Sequence, residues 1–215
     1  MRVYHFTSAQ HAISNAQRRR LKIATLSDVN DPFELAICCN EQLRRRALRA
    51  TRLEWSNRFG MLCFSGDWHN PVQWSHYADK HRGVCLGFDV PDGLLVPVRY
   101  AKNPPQLNWD AIEGGSALGQ TEMVRWSSTK FEHWAYESER RVFLALEEAD
   151  SHGRYFADFG SQLVLREFFV GPECQLTRAH VQEALTGLDD IEIWKTRLAF
   201  RGYKVVRQHD KTMWR

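Results

Sequence analysis

Short apolar runs closed by turn residues recur along this chain and limit what it can fold into. Met61-Leu62-Cys63-Phe64-Ser65, Val84 to Val90, Arg140 to Leu146 and Leu163 to Val170 are rich in β-branched, aromatic and other apolar residues. They are too short for buried helices and read as strands. Val3 to Phe6, Leu21 to Thr25, Tyr155 to Phe159, Ile191 to Trp194 and Tyr203 to Arg207 add further short extended pieces. Leu94 to Tyr100 is expected to pair with Val84 to Val90 across the Pro91-Asp92-Gly93 turn.

Helical signals are fewer. Thr7 and Gln10 form a T-x-x-Q capping box, predicting a helix with Ala12, Ile13 and Ala16 inward and Arg18 to Arg20 at its far end. Leu43, Ala47, Ala50 and Leu53 recur at helical spacing. Asn70 before Pro71 is an N-cap with proline at the first helical position, predicting a helix to about Arg82 that Gly83 ends. Thr177 caps another helix, to about Thr186. Residues 103–127, broken by Gly114, Gly115 and Gly119, read as a surface insertion. With no repeat or linker, residues 1–215 are expected to form a single α+β domain. Its core would be a mixed, mostly antiparallel sheet with flanking helices.

Lys plus Arg is 29 against 26 for Asp plus Glu, a net charge of +3, which allows a polyanion partner without requiring one. No apolar run approaches the roughly 18 residues of a bilayer span, so no membrane partner is expected. Five cysteines form no C-x-x-C pair and leave one over from any pairing. Together with an opening that lacks a long apolar stretch, this points to a reduced, cytoplasmic protein. There is no G-x-x-x-x-G-K-[ST] loop, G-x-G-x-x-G, H-E-x-x-H or G-x-S-x-G, and no histidine pair has metal-ligand spacing.

Four segments carry candidate chemistry. His5 closes a short strand just before a helix N-terminus, where an imidazole can meet a sugar hydroxyl or phosphate; an ordinary half-buried strand histidine is the alternative. Asn30-Asp31-Pro32-Phe33-Glu34 either stabilises its own turn or presents Asp31 or Glu34 to a ligand. In the helix from Pro71, Trp74, Tyr77, Ala78 and His81 share one face. That stripe, with His76 beside it, suits either a core or a platform for a flat heterocycle. In Lys130 to Leu144, alternation sets Glu137 and Glu139 on one face. They are either an acid/base pair with split pKa values or a ladder neutralised by Lys130, Arg140 and Arg141. A two-metal nuclease using Asp31, Glu34, Glu137 and Glu139 is a further possibility, as is a non-catalytic nucleotide sensor.

Tyr4-His5-Phe6, Asn30 to Glu34, Phe64-Ser65, Trp74 to Phe88, Lys130, Trp134, Glu137, Glu139 and Arg140 fall in an order that resembles a bacterial family of unknown function. Its marks are NDPFE, W-x-x-Y-A and E-x-E-R. Val170-Gly171-Pro172 departs from its late V-x-G-P turn by lacking the spacer. The layout is in turn similar, more distantly, to ADP-ribosyltransferases of toxin and phage-defence systems. That resemblance implies NAD as substrate and RNA, DNA or protein as acceptor. It also implies that Glu139 and Glu137 are catalytic, that His5, Thr7, Lys130 and Arg140 hold the dinucleotide, and that Tyr77, Ser65 or Phe64 fills the second motif position. Asn30, Asp31, Glu34, Trp74, His76 and Trp134 would support them.

Overall fold

In the computed structural model the described residues are all but 27, 30, 32, 34–41, 107, 109, 111–116 and 215. Ten strands form one sheet, ordered β12-β11-β10-β4-β1-β3-β2-β9, with β8 on β3 and β5 on β8. The strands are β1 (Arg2–Thr7), β2 (Arg20–Thr25), β3 (Phe59–Ser65), β4 (Val84–Asp89), β5 (Val96–Pro97), β8 (Glu139–Ala145), β9 (Tyr155–Asp158), β10 (Val164–Val170), β11 (Glu192–Leu198) and β12 (Val205–Arg207). All pairings are antiparallel except β10 with β11. β6 (Arg99–Ala101) and β7 (Thr129–Phe131) form a separate parallel pair. The chain is therefore a single α+β domain with a mixed, mostly antiparallel sheet.

Side-chain alternation gives the sheet two apolar faces. Val84, Leu86 and Phe88 of β4 join Val3, Leu62, Phe64 and Phe168 in the main core, with Ala12 and Ala16 of α1 (Ala9–Arg18) and Val181 and Ala184 of the last helix packed on it. That last helix, here numbered α5, spans Arg178–Ala184. On the opposite face Cys85 and Phe169 meet Trp68, Trp74 and Ala78 around α3 (Pro71–Tyr77). A third cluster joins Leu26 and Met61 to Met123 and Trp126 of α4 (Ala117–Ser127), with Trp55 of α2 (Gln42–Arg58) against it.

Several local expectations are corrected by these contacts. Ser8, not Thr7, caps α1: its hydroxyl accepts from His11 N, while Thr7 closes β1. Asn70 caps α3 with Pro71 at its start, but the helix ends at Tyr77 rather than near Arg82. The chain leaves it through three successive left-handed residues, Asp79, Lys80 and His81, at φ 44°, 54° and 70°. Gly83 does not stop the helix. It lets β4 start against β1, where a Cβ would lie 2.2 Å from Thr7 O. The Leu94 to Tyr100 segment pairs with β8 and β7 instead of β4, because a 3-10 turn at Asp92–Leu94 carries it across to β8. The end of the 103–127 stretch is not a surface insertion, since Met123 and Trp126 are buried core residues.

Candidate functional site

β1 and β3 are adjacent but share one register pair, Tyr4 with Ser65, and Ser65 is in turn opposite Glu139 on β8. By contrast β1 follows β4 over six residues and β3 follows β8 over seven. The strands splay where the β1–β3 ladder stops, and a cavity of about 320 Å³ lies there. His5, Phe64, Ser65, Tyr77, Lys130, Glu137 and Glu139 all line it. Residues separated by up to 134 positions are thus gathered by register, in a space at the lower end of the usual range for ligand pockets.

Two buried carboxylates and two buried cations form one wall. Lys130 Nζ lies 2.7 Å from Glu137 Oε2 and 3.4 Å from Glu139 Oε2. Arg141 donates to both oxygens of Glu139, at 2.8 and 2.9 Å, and also to Ser127 O. Burial would raise Glu139, but the Arg141 guanidinium, aided by Lys130, outweighs it and holds this carboxyl below its ordinary value. Glu137 shifts the other way. Burial pushes it up, and Lys130 and the hydrogen bond donated by Tyr77 Oη only partly offset that. The glutamates therefore differ in protonation behaviour although they share a lysine. Ser138 between them is left-handed, at φ 47°. They converge through this kink and the shared ammonium, not through uninterrupted strand alternation.

The loop between β3 and α3 braces Glu137 from behind. Ser65 Oγ sits 2.7 Å from Glu137 O and accepts from Asp67 N and Gln73 Nε2. Gln73 Nε2 and Asn70 Nδ2 each donate to Tyr136 O at 3.2 Å. Ser65 is consequently saturated by its own scaffold, and the hydroxyl positions Glu137. Tyr100 Oη accepts from Glu139 N at 2.7 Å. Burial lifts the Tyr100 phenol to about 12, so it stays neutral.

His5 does not sit at the α1 N-terminus. Its Nδ1 is 3.2 Å from Cys63 O across the splayed strands, and burial lowers its pKa, which favours the neutral ring. Thr7 does not line the cavity, and neither does Arg140, which shares a strand face with Val142 of the main core rather than with Glu139. Trp74 is fully buried and donates to Trp68 O, so it is core and not a ligand platform. Trp134 stacks under Lys130 Nζ at 4.8 Å, with exposed His76 edge-on to it at 6.4 Å. Asp31 is buried and accepts from Phe33 N, the turn-stabilising alternative; Asn30 and Glu34 lie outside the described residues. Gln73 and Tyr100 were not singled out from sequence, and Arg141 entered only as one of three cations that would neutralise the glutamates. Period-two alternation starting at Glu139 would have found Arg141.

No family model, curated protein or solved structure matches this chain. Among the described residues no group of three or more His, Cys, Asp or Glu is arranged to hold a metal ion, and no helix is long and apolar enough to cross a membrane.

Proposed function

We propose that the cleft between β1, β3 and β8 binds NAD and breaks its nicotinamide–ribose bond. The chain would then be an ADP-ribosyltransferase or NAD glycohydrolase-like enzyme of a toxin or phage-defence system, with nucleic acid or protein as acceptor. One observation carries this proposal: the row Tyr4, Ser65, Glu139 brings His5, Tyr77 and both glutamates around one cavity. When the C–N bond breaks, its electron pair leaves with nicotinamide and positive charge develops on the ribose. An ionised carboxylate fixed nearby stabilises that cation. Glu139, oriented by Arg141, has this role. Glu137, held higher by burial, accepts the proton of the attacking water or acceptor. Neutral His5 contacts a ribose hydroxyl, the Tyr77 ring stacks on nicotinamide, and Lys130 replaces Arg140 as the cationic contact.

The bidentate Arg141 clamp on Glu139 favours a second reading, a nucleotide-binding sensor without turnover, because it neutralises the charge that catalysis needs. Incubating the purified chain with NAD and measuring free nicotinamide separates the two. Turnover that falls about 100–1000-fold in Glu139→Gln supports the enzyme. Full turnover in that variant refutes the assignment of Glu139, and an NAD-dependent thermal shift with no product supports the sensor.

A further inference from the structure

β11 and β12 meet in a hairpin whose tip, Ala199 to Lys204, closes through Ala199 N donating to Lys204 O at 2.9 Å. Phe200 and Tyr203 on this tip are 90% and 96% exposed. Two aromatic rings almost fully in water, three residues from one another and outside the buried clusters, contribute little to folding, since burial is what makes such rings stabilising. The base of the hairpin is rigid by contrast. Val205 is fully buried in the Trp68–Trp74 cluster and its N–H donates to His69 O.

Cations interleave with these rings. The Arg197 guanidinium lies over the Phe200 ring at 4.3 Å, and exposed Arg201 and Lys204 flank Tyr203. From Ile193 to His209 there is no acidic residue. Arg207 is paired with Glu167 and Lys195 is held by two carbonyls, whereas no ion pair of Arg197, Arg201 or Lys204 with a carboxylate occurs among the described residues. Exposed rings alternating with uncompensated cations provide a stacking surface and a phosphate path together.

We propose that this hairpin is a binding site for single-stranded nucleic acid, whose bases stack on Phe200 and Tyr203 while phosphates meet Arg197, Arg201 and Lys204. A bilayer suits it less. Arg201 stands at the tip between the two rings, so insertion of the rings would carry its charge into lipid. A second copy of the chain would set like charges against one another. The site is separate from the β1/β3/β8 cleft and does not rest on glycosidic chemistry there.

The test is fluorescence anisotropy with labelled oligouridylate and oligodeoxythymidylate of about 12 nucleotides, without NAD. The parent should bind, with log affinity falling against log salt at a slope near −2, roughly 0.7 for each of three phosphate contacts. Phe200→Ser and Tyr203→Ser should each weaken binding about 5- to 100-fold at unchanged Tm, and Arg201→Glu should weaken it further while flattening the slope. Failure of the parent to bind either oligonucleotide overturns the proposal. So does undiminished binding by the ring variants, or association only with vesicles containing phosphatidylserine or only with a second copy of the chain.

Discussion

Replacing Lys130 by methionine tests the charge arrangement of the cleft directly. The ammonium contacts both glutamates, and all three side chains are buried. Methionine fills much of the same stem volume, so the loss is electrostatic: Glu137 keeps the Tyr77 bond and Glu139 keeps Arg141. Removing one partner of a buried ion pair costs about 3–5 kcal/mol. For a chain of this size each kcal/mol shifts Tm by about 2–4 °C, so a fall of about 6–20 °C is expected near neutral pH.

The pH dependence gives the sharper criterion. Burial already holds Glu137 above its ordinary value, and without Lys130 the like charge of Glu139 pushes it higher. A carboxyl whose pKa is raised on folding contributes fully below its unfolded value, about 4.3, and that contribution is lost as pH climbs through the folded value. The deficit of Lys130→Met should therefore be larger at pH 8 than at pH 5.5 in thermal unfolding followed by circular dichroism. Adding Glu137→Gln should restore part of the loss at pH 8, since it removes the carboxylate left unpaired. A deficit equal at both pH values, with no recovery in the double variant, would refute the shared-lysine account.

Two backbone predictions follow from the segment after α3. Lys80→Gly should raise Tm by about 2–4 °C, because a non-glycine residue in left-handed geometry costs about 1–2 kcal/mol and exceeds the entropy that glycine adds to the unfolded chain. An unchanged or lower Tm counts against strain at that turn. Gly83→Ala should destabilise by about 1–3 kcal/mol or more in urea unfolding, as its Cβ would meet Thr7 O at 2.2 Å and Ala78 O at 2.8 Å, and backbone atoms give way poorly. A midpoint equal to the parent's would mean that β1 and β4 can separate there without cost.

Local chemistry was readable wherever a few neighbouring residues decide it. Asn70 with Pro71 and Thr177 mark helix starts that the chain adopts, and the β3, β4, β8 and β10 runs are strands. Thr7 and Ser8 show the limit of such signals: adjacent hydroxyls can both cap, and β1 pairing with Val84 claims Thr7. The proximity of Glu137 and Glu139 was foreseen, and so was their neutralisation by Lys130, but not the route by which the ammonium reaches both, from β7 through a parallel pair with β6. Nor could the choice of Arg141 over Arg140 be settled while the start of β8 was uncertain by one residue. The 134-position gap between His5 and Glu139 is closed by strand order, which no local pattern encodes.

The lone pair Tyr4–Ser65 also bears on how the domain resists stress. Everything from β1 outward to β12 is stitched on one side, everything from β3 outward to β9 and β5 on the other, and a single rung of ladder links the two panels. Opening the cleft by a small angle would break little backbone bonding in either panel. A guest larger than the empty space can thus be admitted by leaning the panels apart, with the side-chain bonds of Ser65, Asn70 and Gln73 acting as the strap that limits their travel.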